Sequence, residues 1–363
     1  MRRLALPVGV LTAGIAFAAL AQAAEPPALA RVDRAEKARL TALIAEATKE
    51  GQLSYIETIV QPATHDALTE AFRKRYGLPA SFKVLNTTTT PGAVITRMEQ
   101  EMHAGRLTFD IGAIASAPWV HARLKEGKIT KYASPEYSAY KRAFDLKLGV
   151  DGYFAFTGGY YFVPMWNAEN LNFRGTSYRD ILGAVPAGRI SSSDPSVSDP
   201  PLMTYVGLRT ILDVPYFQEL AKLKPAFMYK SETTAGRLVS GEDLMALSGM
   251  PTRAFQLNAK GARLEFMRPK EGVVLLTQSV FILEGSPHPA SARLWIDFIL
   301  SDEGQKILAA REFLISGRSN FASPLPDTIP TMDTLKTIPV DWGSVTTADM
   351  QKARDEWSGI FKK

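Results

Sequence analysis

The chain has 363 residues, no cysteine, and 42 Lys and Arg against 37 Asp and Glu, a formal charge of +5. Without cysteine it forms no disulfide and carries no cysteine-anchored lipid, so stability outside the cell has to come from core burial. The basic residues are scattered rather than gathered on an aromatic-flanked face, which excludes a nucleic-acid binder.

The N-terminus comes first. Arg2 and Arg3 are followed by an apolar run from Leu4 to Leu20 and by Ala21-Gln22-Ala23. A positive start, an apolar middle and a small-residue cleavage site describe a secretory signal peptide over 1–23 and a periplasmic destination in a Gram-negative cell. A membrane anchor is the competing reading. The run is near the lower limit of about 17 residues for a span and contains Pro7, Gly9 and Gly14.

Beyond it, helices and strands alternate. Leu40, Leu43, Ile44 and Ala47 share one face of a helix predicted from Asp33 to Glu50, which Gly51 ends. The strand "QLSYIET" follows, then a helix from Thr64 to Tyr76, whose Arg73-Lys74-Arg75 suits a helix C-terminus. "SFKVLN" is a second strand, Pro91 to His103 a helix, "TFDIGAIAS" a third strand and "APWVHARLKEG" a third helix. Such alternation predicts parallel sheets covered on both faces. "YYFVPMWN" (160–167) reads as a strand that Pro164 confines to an edge or a crossing. "AGRISSSDP" is a strand running into a helix from Pro201 to Leu212, and "PAFMYK" and "DLMALSG" are short strands around a helix at Thr234–Ser240. A strand in "GVVLLTQSVFIL", a helical pair over "HPASARLWIDFILSDEGQKILAA" and a final amphipathic helix complete the chain.

Three strand-to-helix junctions are rich in hydroxyls. Thr87, Thr88, Thr89 and Thr90 precede Pro91, which fits the first helical position because its missing N–H would be unsatisfied there anyway. Capping that helix needs one hydroxyl, and Thr90 is placed for it; the other threonines are surplus. Ser196 and Ser198 precede the second-half helix, and Thr233 and Thr234 open another. In open α/β sheets the ligand crevice lies at the carboxyl ends of the strands. Hydroxyls, unbonded N–H groups and helix N-termini together make a cradle for an anionic or polar group.

The segments "KEGQLSYIET", "LTEAFRKRYGLP", "MEQEMHAGRLTFDI", "LVSGEDLMALSG" and "RPKEGVVLLTQSVFILEGSPHPASARLWIDFILSDEGQKILA" occur in this order over most of the chain. They resemble the periplasmic extracellular solute-binding proteins of ABC importers, the group that includes ferric-ion, organophosphonate and sugar-phosphate binders. The resemblance implies an α/β fold of type II: two Rossmann-like lobes joined by two crossing strands, with the ligand between them. On this chain the lobes would be 31–155 with 274–330, and 156–273, with 331–363 as a helical tail packing on both. It also implies a small-molecule solute and a membrane permease as partners, a monomer, and delivery by hinge closure.

Ferric-binding members of the group use a histidine after the first strand, a glutamate after the third and a tyrosine pair after the Ser-Gly-Glu strand. Here Gln61, Ala115 and Met250-Pro251 stand at those places. Iron needs hard anionic oxygen ligands. An organic solute with a carboxylate, phosphonate or phosphate is therefore the expected ligand, with iron on atypical ligands as the alternative and neither metal nor cofactor required. The candidate contacts are Thr58, Thr87 to Thr90, Ser116 and Trp119 in the first lobe, and Tyr160 and Tyr161 at the crossing. Ser196, Ser198, Thr233, Thr234 and Arg253 follow in the second. Arg253 is read as a strand-end guanidinium suited to a bidentate anion contact. Tyr160 and Tyr161 are successive strand residues whose hydroxyls point to opposite faces. An enzyme on the same fold is the rival from another class, but no G-x-S-x-G, H-E-x-x-H or phosphate-loop motif is present.

Overall fold

Two five-stranded sheets organise the protein, described here from a computed structural model over residues 25–229 and 231–362. The expected signal peptide, 1–23, lies outside the described residues. The first sheet begins with α1 (Arg34–Glu50), β1 (Gln52–Glu57), α2 (Pro62–Tyr76), β2 (Lys83–Thr88), α3 (Pro91–His103), β3 (Ile111–Ile114) and α4 (Ala117–Lys125). Asp33 caps α1 by accepting the Glu36 N–H at 2.9 Å, and Gly51 ends it at φ +71°, a conformation glycine takes without steric cost. After α5 (Lys141–Asp145), β4 (Phe154–Tyr160) closes this sheet and β5 (Val163–Asn167) opens the second.

The second sheet follows with β6 (Ile190–Ser193), α6 (Asp199–Leu208), α7 (Val214–Lys222), β7 (Ala226–Met228), α8 (Ser231–Val239), β8 (Met245–Gly249), α9 (Pro251–Asn258) and β9 (Leu264–Phe266). β10 (Leu276–Ile282) returns to the first sheet, where α10 (Pro289–Ile299) and α11 (Asp302–Glu312) pack, and α12 (Thr347–Phe361) ends the chain against α6 and α7. The strand orders are β2-β1-β3-β10-β4 and β7-β6-β8-β5-β9. In each sheet three strands run parallel and the remaining strands join antiparallel. The two sheets are the two lobes, and the chain crosses between them from β4 to β5 and from β9 to β10. No helix among the described residues is long and apolar enough to cross a membrane.

Several details depart from expectation. Pro164 stands just after the chain passes from the first sheet to the second, one of its two expected places, but not on an edge: β5 has β8 on one side and β9 on the other. The proline is tolerated because the register slips between Val163 and Met165, and its carbonyl still accepts the Met267 N–H at 2.8 Å. Thr90 is the N-cap of α3 in position only, since its side chain makes no capping bond. Met250 to Asn258 is not a strand end; α9 begins at Pro251, so Arg253 stands in the first turn of a helix. The helix read from Pro201 begins at Asp199, and that read from Thr234 begins at Ser231.

Candidate ligand-binding cleft

The carboxyl ends of β1, β2 and β3 lead into α2, α3 and α4, and those of β6, β7 and β8 into α6, α8 and α9. Two contacts show that these ends face each other. Ser116, at the N-cap of α4, donates its hydroxyl to Asp199 Oδ2 at 2.6 Å, and Asp199 is the first residue of α6. On the flank, the ring of Phe255 in α9 stacks on Phe313 with centroids 6.4 Å apart and planes 5° from parallel. Phe313 ends α11 at φ +57°, a left-handed conformation unfavourable for a bulky side chain and held here by that packing.

On the first-lobe side, the four threonines divide. Thr88 donates to the Glu57 carboxylate and receives Asn86 Nδ2 at 3.1 Å. Glu57, 1% exposed, also accepts the N–H groups of Ile59 at 2.6 Å and Val60 at 2.8 Å. Burial raises its carboxyl above the usual range, and these bonds pull it back. Thr88 is thus a structural residue and not a spare hydroxyl. Among the described residues, the hydroxyls of Thr87, Thr89 and Thr90 have no hydrogen-bond partner. Thr58 exchanges two bonds with the buried Gln278 of β10, at 2.9 and 3.1 Å, and Gln278 also donates to the Ala113 carbonyl at 3.0 Å.

Trp119 is turned into the lobe. Its indole N–H donates to Glu99 at 2.7 Å and its ring lies 6.2 Å from that of Phe281. Tyr160 and Tyr161 are both more than nine-tenths buried and belong to different core clusters, but they are not successive residues of one strand: Tyr160 ends β4 and Tyr161 lies in the link to β5. Tyr161 stands near Arg268. Burial pushes its phenol up to about 12, and the guanidinium works against that. Arg268 is exposed and lies 4.7 Å from the centroid of Phe266.

On the second-lobe side, Ser196 donates to Asp194 at 2.6 Å and accepts Lys362 Nζ at 2.7 Å, so the C-terminal helix holds it. The Ser198 hydroxyl caps nothing, although the residue is the N-cap of α6. Thr233 is exposed in α8 and Thr234 fully buried beside it. Arg253 donates to Gln256 within its own helix at 2.6 Å. The structure therefore brings Thr58, the threonine junction, Ser116 and the start of α6 to one inter-lobe face. It directs Trp119 and Thr234 into cores. Asp199, Gln278 and Arg268 were not singled out by sequence; an acidic first-turn residue in "SDPPL" was the one visible trace of Asp199. No group of three or more His, Cys, Asp or Glu able to hold a metal occurs among the described residues.

A family model described as "Bacterial extracellular solute-binding protein" matches residues 107–341. The chain belongs to this family. It is a solute-binding protein of the kind that serves ABC importers, not an enzyme, and the family implies a periplasmic location. Among solved structures, it matches iron-bound HitA from Pseudomonas aeruginosa at TM-score 0.70 and 17% identity, covering 85% of this chain and 99% of that one. AfuA from Actinobacillus pleuropneumoniae with fructose-6-phosphate bound gives 0.71 and 19%, covering 86% and 99%. The Trichodesmium protein IdiA (FutA), in complex with iron and citrate, gives 0.67 and 14%, covering 86% and 100%. At these identities the likeness is one of fold. A comparison with curated proteins gave no match.

Proposed function

We propose that this solute-binding protein captures a small organic molecule bearing a carboxylate, phosphonate or phosphate in the inter-lobe cleft, and hands it to a membrane permease when the hinge closes. The observation that carries the reading is the β2–α3 junction. Thr87, Thr89 and Thr90 have hydroxyls without partners among the described residues, ahead of a helix whose first N–H groups have no helical acceptor. The N-cap of α6 across the cleft offers Ser198 in the same way. Gln61 spends its backbone N–H on Glu312 at 2.9 Å. It offers an amide where ferric-binding members of the group place an imidazole.

In this reading the lobes are 31–155 with 274–330, and 156–273, the tail 331–363 spans both, the protein acts as a monomer, and a signal peptide over 1–23 takes it to the periplasm. Ligand contacts from both lobes favour the closed state because only there are all of them made. Native mass spectrometry of the protein purified from its own periplasm without refolding tests the ligand class. An adduct of an organic anion lost on denaturation supports the proposal; one of iron, with or without an anion, overturns it.

A further inference from the structure

The C-terminal helix does more than pack on the second lobe: its polar side chains hold the loop that touches the first. Arg354 of α12 donates to the carbonyls of Pro195 and Ser196, each at 3.0 Å, and to Asp199 Oδ1 at 3.2 Å. Lys362 reaches Asp194 Oδ2 at 3.0 Å and Ser196 Oγ at 2.7 Å. The stretch 194–199 is thus fixed by α12 at both ends. Asp199 spends its other oxygen on Ser116, whose side of the contact is 99% buried. One carboxylate is shared between the first lobe and the C-terminal helix.

The segment leading to α12 is itself tied to the first lobe and to the crossing. Lys125 Nζ donates to the Gly343 carbonyl at 2.8 Å, and Lys147 pairs with Asp341. The Val273 N–H reaches the Lys336 carbonyl at 3.0 Å, and the Val273 carbonyl accepts the Ile338 N–H at 2.8 Å. The tail runs past the second crossing and along Lys125 and Lys147 of the first lobe onto the outside of the second, where Arg354 holds Asp199, the partner of Ser116.

We propose that Ser116, Asp199 and Arg354 form a latch through which the C-terminal helix sets how far the lobes close. Arg354 is a positioning residue. It orients Asp199 toward Ser116 and neutralises it, so the hydroxyl meets an aligned carboxylate in a water-poor contact, where a charge-assisted bond is strong. Without Arg354 the 194–199 loop loses three donors together, Asp199 turns to solvent, and the closed arrangement loses a contact while the open one loses none. The inference assumes the two-lobed closure given above and is independent of which solute is bound.

The test uses no solute, so its failure is distinct from that of the ligand assignment. The native chain has no cysteine, so Lys128→Cys and Lys260→Cys, on exposed residues of the two lobes, accept spin labels cleanly. Electron–electron distances are measured on full-length mature protein stripped of solute by denaturation and dialysis. Arg354→Ala and Ser116→Ala are each expected to lengthen the mean distance by several ångströms, and the double variant to go no further, since both break one unit. Asp199→Asn provides the same test with minimal change of shape. Arg209→Ala removes a different α12 anchor, the 2.9 Å contact with Glu356, and is expected to leave the distance unchanged. No shift in the Arg354 or Ser116 variant, or an equal shift in the Arg209 variant, overturns the latch.

Discussion

The Thr88 hydroxyl donates to the carboxylate of Glu57, joining the end of β2 to the end of β1 across 31 residues of sequence. This bond divides a run of four identical side chains into one with a structural task and three without one. Threonine repetition at the junction therefore has two causes.

Thr88→Ala is accordingly expected to cost about 1–2 kcal/mol, the penalty for leaving one oxygen of a buried carboxylate without its donor. Thr87→Ala and Thr89→Ala should leave stability within about 0.5 kcal/mol of the parent while weakening solute binding. Urea unfolding of the three single variants checks the order. Equal losses at all three positions would contradict the division.

Stability should fall as the medium is acidified through the histidine range. His65 Nε2 donates to the Val84 carbonyl at 3.2 Å and its Nδ1 accepts from the Tyr55 hydroxyl at 3.1 Å, and burial lowers its pKa. Burial, then Lys125, lowers that of His121. A base whose folded pKa lies below its unfolded value leaves the unfolded chain binding more protons, so its contribution is present above the unfolded value near 6.5 and lost below it. Melting temperatures from pH 7.5 to 5.5 should decline, and His65→Gln should flatten that decline. A steeper slope in the variant would reverse the sign.

Asp297 is 4% exposed and takes bonds from Arg39 at 2.8 Å, Ser134 at 2.6 Å and Tyr132 at 2.8 Å. Replacing it by alanine leaves the Ser134 and Tyr132 hydroxyls without this acceptor and the Arg39 guanidinium with Glu36 as its one carboxylate, at 2.7 and 2.6 Å. The cost is about 1–3 kcal/mol for each unsatisfied group. The exposed pair Lys141–Asp145, at 2.7 Å, should contribute under about 0.5 kcal/mol. Chemical denaturation of Asp297→Ala and Asp145→Ala separates the two cases.

Gly207 offers a test in which two principles oppose each other. It lies inside α6, where alanine would gain about 1 kcal/mol of helix propensity. A Cβ there would meet Val274 Cγ2 at 2.4 Å and Cγ1 at 2.9 Å, and a β-branched side chain has little freedom to give way. Overpacking should win by about 1–3 kcal/mol. Gly207→Ala should melt below the parent, and a rise in melting temperature would mean that the crossing segment yields.

Much of the fold was legible because its signals are local. Asp33 and Gly51 bracket α1, Pro91 opens α3, and the alternation of strand and helix recurs in both lobes. What was missed lacks such signals. β4 is buried on both faces, so alternation does not mark it, and Gly158 and Gly159 interrupt the β-forming residues Phe154, Phe156, Thr157 and Tyr160. α9 is only eight residues long and follows a strand directly, which made Arg253 look like a strand end. The cleft was less legible than the fold. The partner of Ser116 lies 83 residues away and that of Thr58 lies 220 away, and no spacing rule reaches so far. A hydroxyl-rich junction announces spare donors, but which of them the protein has already used is decided by tertiary contacts.

Strand membership also bears on the order of assembly. All five strands of the second sheet lie between Val163 and Phe266, whereas the first cannot be completed until Leu276–Ile282 has arrived beside β3. As the chain is made N-terminus first, the whole second lobe is available while the first still lacks its central partner strand. Because loops closed within one continuous stretch cost less entropy than one closed across an inserted lobe, the second lobe is expected to form before the first is completed.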